Sequence, residues 1–266
     1  MTMLQIENLN KTFNAGTPIE NHVLRGISLS LARGEYVTLV GGNGAGKSTM
    51  LSSVAGTFLP DTGSIVIDGV DVTNLPEHKR AIYLGRVFQD PTLGTAANMS
   101  IEENLALAYR RGRRRTLRWY ITGQERELYR EKLSTLELGL ENRLSDEVGL
   151  LSGGQRQALT LLMATLNEPR VLLLDEHTAA LDPRTAPKVL DIGSRLIEKY
   201  NLTTMMVTHN MRDAIRHGNR LIMMNGGRIV LDICGQEKQE MTVKELVSKF
   251  SQASGEEFSH DQALLG

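Results

Sequence analysis

The chain has 266 residues, of which 41% are hydrophobic, and a formal net charge of −1 from 30 basic and 31 acidic residues. This charge balance excludes a globally basic nucleic-acid binder, and no run approaches the about 18 apolar residues of a membrane span. The single cysteine, Cys234, excludes an intramolecular disulfide and a cysteine-based metal cluster. The length predicts one large or two small domains. Because the start of the sequence lacks a signal-peptide pattern, we expect a cytosolic chain.

The first elements predicted along the chain are strands. Residues 4–9 and 23–31 alternate apolar and polar side chains, which predicts an antiparallel β layer. Residues 36–40 form a nearly all-apolar run, typical of a strand buried on both faces. A glycine-rich segment, residues 41–46, follows directly, and from Lys47 apolar residues recur at helical spacing. The local order is therefore strand, glycine loop and helix.

The pattern changes twice between this helix and the middle of the chain. Residues 64–70 predict a hairpin strand that ends at Asp68 and Gly69, a residue pair typical of a tight turn. Residues 99–142 carry apolar and charged residues at the spacing of amphipathic helices. We interpret this segment as a helical insert.

The second half of the chain alternates helices with apolar strands. After Gly154 a mostly apolar helix precedes a buried strand at residues 171–175. Further strands are predicted at residues 203–208 and 220–224, and a helix that starts at Met211 lies between them. This alternation predicts a mostly parallel α/β sheet.

The glycine-rich segment has the pattern of a phosphate-binding loop. Residues 41–48 satisfy G-x-x-x-x-G-K-[ST], with the required strand before them and the helix after them. Glycines let backbone N–H groups surround an anion, Lys47 would neutralise phosphate charge, and the Ser48 hydroxyl can ligate Mg²⁺. The alternative is a glycine-rich turn with an exposed lysine.

Two carboxylates stand where the strand 171–175 leaves the sheet, the edge at which α/β proteins bind ligands. We expect Asp175 to hold Mg²⁺ and Glu176 to polarise a water for attack on a γ-phosphate. Taken alone, such a pair is more often a helix N-terminal charge. His209 also follows an apolar strand, and Gln89 lies in a loop from which its amide can reach the Mg²⁺ or the water. A lone histidine is more often structural.

The segment Leu151-Ser-Gly-Gly-Gln155 is one of five motifs that stand in a fixed order. The other four are the phosphate loop, Gln89, the Asp175–Glu176 pair and His209. With them the chain resembles the ATP-binding subunits of ABC (ATP-binding cassette) transporters over residues 1–235. The resemblance implies an α/β fold with a P-loop NTPase (RecA-like) core, an antiparallel β subdomain, and an α-helical subdomain inserted at about residues 92–160. Residues 236–266 would form a short C-terminal helix and a polar tail.

The resemblance also assigns roles to the motif residues. It implies that Glu176 is the catalytic base, that His209 and Gln89 assist it together with Lys47, and that Ser48, Gln89 and Asp175 ligate Mg²⁺. Phe13 would stack on the adenine of ATP. The nucleotide-binding set is Phe13, Gly41, Gly42, Asn43, Gly44, Ala45, Gly46, Lys47, Ser48, Thr49, Gln89, Ser152, Gly153, Gly154, Gln155 and Asp182.

Partners follow from the second glycine motif. Ser152 with the backbone of Gly153 and Gly154 opens a helix and so forms a second anion-binding N-terminus. The resemblance implies a head-to-tail dimer with a second copy of the chain, in which Lys47 of one subunit and Ser152 of the other enclose one ATP. It further implies transmembrane permease subunits, an extracytoplasmic substrate-binding protein, and a peripheral position on the cytoplasmic face of the cell (inner) membrane.

Two features depart from the family pattern or lie outside it. His177 stands where many relatives carry proline, and it is either a helix-start residue or a modifier of the basicity of Glu176. Six arginines precede Trp119 and Tyr120. They form a solvated charged loop, a surface for anionic lipid headgroups or, against the neutral overall charge, a nucleic-acid contact. These arginines are Arg110, Arg111, Arg113, Arg114, Arg115 and Arg118.

The sequence predicts an ATP-hydrolysing, energy-coupling subunit of a membrane transporter, an importer in the first place, with no nucleic-acid partner. The alternatives are a soluble ABC ATPase that acts on ribosomes or nucleic acid, an ATPase of an exporter or lipoprotein-release system, and a nucleotide-binding scaffold without turnover. One cassette with about sixty residues between Gln89 and the Ser152 motif argues against the ribosomal and DNA-repair types. Intact Glu176 and His209 argue against the scaffold.

Overall fold

The computed structural model describes residues 1–112 and 121–254. The strands in these ranges are β1 (Thr2–Phe13), β2 (Asn21–Ala32), β3 (Tyr36–Gly41), β4 (Thr62–Ile67), β5 (Val70–Asp71), β6 (Leu84–Val87), β7 (Val171–Asp175), β8 (Thr203–Val207), β9 (Arg220–Asn225) and β10 (Arg228–Cys234). The helices are α1 (Lys47–Ala55), α2 (Glu77–Arg80), α3 (Ile101–Tyr109), α4 (Gly123–Ser134), α5 (Gly153–Thr165), α6 (Ala186–Lys199), α7 (Met211–Arg216), α8 (Gly235–Glu240) and α9 (Val243–Ser254). Short 3-10 helices span Leu140–Asn142 and Val148–Leu150.

The N-terminal strands form the predicted antiparallel sheet, with the order β2-β1-β4-β5. Leu4 pairs with Leu31 of β2 on one side and with Ile67 of β4 on the other. Asp68 and Gly69 join β4 to β5 with φ angles of 49° and 78°, the left-handed conformations that a tight hairpin turn requires.

The second sheet has the order β10-β9-β3-β8-β7-β6, in which all neighbours are parallel except β10 and β9. The carboxyl ends of the parallel strands therefore share one edge. Asp175 at the end of β7 pairs with Val207 at the end of β8, and Leu39 of β3 pairs with the same Val207. The loops that follow Gly41, Asp175 and Val207 consequently start side by side.

Helices cover the second sheet on both faces. Since side chains alternate along each strand, neighbouring residues enter two different cores. Leu173 joins a core that contains Leu51 of α1 and the inner face of the antiparallel sheet. Its neighbour Leu174 joins the opposite core, with Leu159 of α5 and Ile192 of α6. Helix α1 and helix α5 therefore lie on opposite faces of the sheet.

The segment predicted as a helical insert contains α3 and α4, and each begins with a reciprocal cap. The side chains of Ser100 and Thr122 accept from the backbone N–H groups of Glu103 and Glu125, whose carboxylates accept in return. Arg126 Nε of α4 lies 2.7 Å from Glu102 Oε2 of α3, and this ion pair joins the two helices. The interval 113–120 between the helices lies outside the described residues, and with it Arg113, Arg114, Arg115 and Arg118.

The predicted C-terminal helix is α9, and the structure places α8 before it. Leu246 and Phe250 of α9 are buried in a third core together with Met223 of β9 and Met211 of α7. Lys238 of α8 donates to the carbonyl of Ile215 in the last turn of α7 and to those of His217 and Gly218 just beyond it. The domain boundary at residue 235 stays a prediction, and residues 255–266 lie outside the described part of the chain.

Several regular elements have no counterpart in the sequence prediction, namely β5, β6, β10, α2, α6 and α8. Over residues 1–112 and 121–254, every helix is too short or too polar to span a membrane.

Candidate active site

The glycine loop leaves β3 in a conformation that only glycine can adopt. A Cβ atom on Gly41 would lie 2.2 Å from the backbone oxygen of Met224 on the neighbouring strand, far inside contact distance. Gly46 has a φ of 97° and immediately precedes α1. The first-turn N–H groups of α1 have no acceptor within the helix, so they are available to an anion held in the loop.

Lys47 is the first residue of α1, and its side chain turns back over the loop. Its Nζ atom donates to the carbonyl oxygens of Gly41 at 2.8 Å and Gly42 at 3.1 Å. Burial lowers the pKa of Lys47, and the charges of Glu176 and Asp175 act against that shift. The ammonium group is therefore placed between the phosphate loop and the two carboxylates.

Asp175 lies opposite the start of α1. The Ser48 hydroxyl donates to Asp175 Oδ1 at 3.4 Å, and the Arg86 guanidinium lies 3.7 Å from Oδ2. Burial raises the pKa of Asp175, and the positive charge of Arg86 opposes this. A carboxylate and a hydroxyl at this separation fit Mg²⁺, which takes few protein oxygens and completes its shell with phosphate and water. Gln89 is exposed and follows β6, whose last residue pairs with β7 next to Asp175.

Glu176 and His209 meet at the same edge. The imidazole Nδ1 lies 3.4 Å from Glu176 Oε2. This contact lowers the pKa of Glu176 and raises the pKa of His209. Glu176 has a φ of 43°, and its N–H donates to the carbonyl of Val207 at 3.0 Å. The side chain of Asn210 caps α7 and thereby fixes the backbone on the other side of His209.

The second glycine motif opens α5, as predicted, and the structure adds a reciprocal cap. Ser152 Oγ accepts from the N–H of Gln155 at 3.3 Å, and the Gln155 amide oxygen accepts from the N–H of Ser152 at 3.2 Å. A Cβ on Gly154 would lie 2.0 Å from Thr185 Cγ2, so glycine allows α5 to approach the start of α6. The Asp182 carboxylate accepts from the N–H groups of Arg184 and Thr185 in this same region.

Comparison with known proteins identifies the family. The model for ABC transporters matches residues 24–179. A tyrosine transport ATP-binding protein of Clostridioides difficile (strain R20291) is 43% identical over 251 residues, which cover 94% of this chain and 100% of that protein. The chain belongs to the ABC transporter family. The predicted family and fold class are thus confirmed, and the chain is an ATP-binding, ATP-hydrolysing subunit of that family.

Other relatives of this ABC protein support the same assignment. A thiamine import ATP-binding protein of Escherichia coli (strain K12) is 34% identical over 213 residues, covering 80% of this chain and 87% of that protein. The dimeric ATP-binding cassette MJ0796 bound to ADP and Pi superposes with a TM-score of 0.73 at 28% identity, covering 87% of this chain and 98% of that one.

The ABC protein has an aromatic contact that the sequence reasoning missed. The ring of Phe13, at the end of β1, meets the ring of Phe58 edge to face with centroids 5.1 Å apart. Phe58 follows α1, so the contact joins the predicted adenine platform to the helix of the phosphate loop. The available signal was an apolar aromatic just beyond the C-terminal Gly56 of α1, but no sequence rule links it to Phe13.

His177 is neither at the start of a helix nor in solvent. It is 2% exposed, residues 177–180 form turns, and α6 begins only at Ala186. Burial, helped by the nearby His217, lowers the pKa of His177 to about 4, so the imidazole is neutral near pH 7. The interpretation as a helix-start residue is therefore wrong.

Proposed function

We propose that the chain is the energy-coupling ATPase of a membrane importer and acts as a head-to-tail dimer around two Mg-ATP. The observation that carries this proposal is the Glu176–His209 contact of 3.4 Å, at the sheet edge that also holds Lys47 and the Ser48–Asp175 pair. These groups supply a base, a cation and a metal-ligand pair around one phosphate loop, which is what phosphoryl transfer to water requires.

Each group has a step to perform in hydrolysis. Glu176 accepts the proton of the attacking water as a carboxylate that is ionised at neutral pH, and its contact with His209 lowers its pKa. His209 donates to Glu176 and fixes the direction in which that carboxylate points. Lys47 and the N–H groups of α1 balance the charge that develops on the γ-phosphate oxygens. Mg²⁺, held by Ser48 and Asp175 with Gln89 nearby, would neutralise the β- and γ-phosphate oxygens.

Two faces of the molecule support the dimer. Lys47 begins α1 on one face of the second sheet, and Ser152 caps α5 on the opposite face. One chain cannot direct both N-termini at the same phosphate, so a second copy has to provide the other. The dimeric relative with ADP and Pi makes this arrangement the first one to test.

The proposal also includes the class of transported solute. We take an amino acid as the solute class, with tyrosine first, because the 43% identical relative spans its whole length on this chain and is named for tyrosine transport. Permease subunits and an extracytoplasmic binding protein would select the solute. The chain would then sit peripherally at the cytoplasmic face, where it supplies the ATP-driven motion.

Sedimentation with ATP tests the dimer. In a Glu176→Gln background, which should retain ATP, we expect the chain to sediment as a dimer with ATP and as a monomer without it. Adding Ser152→Arg should abolish the dimer while monomeric ATP binding persists. The control is Ser134→Arg, on the exposed end of α4. An ATP-dependent dimer that survives Ser152→Arg would refute the head-to-tail arrangement.

A further inference from the structure

Arg86 on β6 reaches four other parts of the fold through one guanidinium group. Its Nη1 atom donates to Thr57 Oγ1 at 2.9 Å and lies 3.6 Å from Glu77 Oε1. Its Nη2 atom donates to Ser52 Oγ of α1 at 3.2 Å and lies 3.7 Å from Asp175 Oδ2. The side chain is only 15% exposed, so these contacts set its position.

The flat face of the same group lies against the segment that leads to Gln89. The guanidinium carbon is 4.6 Å from the centroid of the Phe88 ring, a cation–π contact. The carbonyl of Phe88 in turn accepts from the Gln157 side chain of α5 at 3.1 Å. Arg86 therefore links Asp175 to the backbone that carries Gln89, a predicted Mg²⁺ ligand.

The two oxygens of Asp175 have different neighbours. Oδ1 is 3.4 Å from the Ser48 hydroxyl, whereas Oδ2 faces Arg86 at 3.7 Å. The Asp175 side chain is 16% exposed and stands beside the like charge of Glu176. A carboxylate this poorly solvated needs a cation to hold it in one orientation. Arg86 supplies that cation on the side away from Ser48.

We propose that Arg86 is a positioning residue for Mg²⁺: it holds Oδ2 of Asp175 so that Oδ1 stays directed toward Ser48. Arg86 touches neither metal nor nucleotide in this account. The inference rests on the proposed function, since it takes Asp175 as a magnesium ligand. A lysine cannot replace it fully, because one ammonium group cannot reach Thr57, Ser52 and Asp175 together while covering the Phe88 ring.

The test measures metal binding in the full chain by the electron paramagnetic resonance of Mn²⁺, at saturating non-hydrolysable ATP analogue. For Arg86→Met we expect Mn²⁺ affinity to fall by about 10- to 100-fold, the usual effect of removing a group that orients a metal ligand. Affinity for the analogue in EDTA should stay within about twofold, because the phosphate loop is intact. Arg228→Met, on the exposed start of β10, is the matched control and should leave both affinities unchanged.

A purely structural role would lower both affinities equally, and that result would overturn the proposal, as would unchanged Mn²⁺ binding in Arg86→Met. Should this variant not fold, Arg86→Lys keeps the charge, and Mn²⁺ affinity equal to the native chain would likewise refute the role. Asp175→Asn separates the two levels of the argument. If that variant keeps native Mn²⁺ affinity, the magnesium assignment in the proposed function fails, whatever Arg86 does.

Discussion

The imidazole of His209 and the carboxylate of Glu176 lie 3.4 Å apart, although 32 positions of the chain separate them. Parallel pairing of β7 with β8 produces this contact, because Glu176 directly follows the end of β7 and His209 lies two residues beyond the paired end of β8. The electrostatic consequence is mutual: the pKa of Glu176 falls and the pKa of His209 rises. One neighbour thereby holds the carboxylate of the base in a fixed direction.

This contact predicts a pH-dependent contribution to stability. Because the pKa of Glu176 is lowered on folding, its carboxylate stabilises the fold at pH values above its ordinary pKa of 4.5. That stabilisation is lost as pH falls through the folded pKa. Because the pKa of His209 is raised on folding, its imidazolium stabilises the fold fully at pH values below its ordinary pKa of 6.5. That stabilisation is lost as pH rises through the folded pKa. We therefore expect His209→Gln to reduce the free energy of unfolding more at about pH 5.5 than at about pH 8.5.

Urea unfolding of the native chain and of His209→Gln at the two pH values measures this difference. His78→Gln, on the exposed surface of α2, is the control for loss of an imidazole elsewhere. An equal effect of His209→Gln at both pH values would show that the ionic contact does not form in solution.

Close approach of α5 and α6 predicts a cost for a single methyl group. Gly154→Ala places its Cβ 2.0 Å from Thr185 Cγ2, so we expect a loss of about 1 to 3 kcal/mol in the free energy of unfolding. Thr185→Ser removes that methyl and should relieve most of the cost. Chemical unfolding of both single variants and the double variant measures the coupling, with Gly123→Ala in open space on α4 as the control. Strictly additive effects would contradict the packing described.

The Phe13 ring predicts a base-dependent contribution to nucleotide affinity. Stacking of a nucleobase on an aromatic ring is worth about 1 to 3 kcal/mol, so Phe13→Ala should weaken ATP binding by about 5- to 150-fold. Binding of inorganic triphosphate should not change, because the phosphate loop does not involve this ring. Titration calorimetry with both ligands measures the difference. Equal weakening for the two ligands would point to a structural effect at the end of β1.

Elements with a strong local signal were predictable from the sequence. The strand, glycine loop and helix around Lys47 need particular residues at each position, and the reciprocal cap at Ser152 is likewise local. The helix α6 was missed although its apolar residues have helical spacing. It begins at Ala186, after a turn in which the Asp182 carboxylate accepts from the N–H groups of Arg184 and Thr185. Such loop geometry has no simple sequence pattern.

The contacts between distant segments could not be predicted in this way. Arg86 and Phe58 acquire their neighbours only when β6 and α1 come together, and neither residue type indicates a partner by itself. The burial of His177 has no sequence signal, because it depends on the cores formed by α6 and α7. Long-range contacts of this kind follow from topology, which the motifs imply only through resemblance.

The central claim is that Glu176 performs the base step of ATP hydrolysis. Phosphate release by purified Glu176→Gln at saturating ATP tests it most directly, with Glu198→Gln on the exposed surface of α6 as the matched control. We expect Glu176→Gln to lose at least about 100-fold in turnover, the contribution of a general base, while it still binds ATP. The control should hydrolyse at the native rate. A Glu176→Gln variant with native turnover would contradict the account.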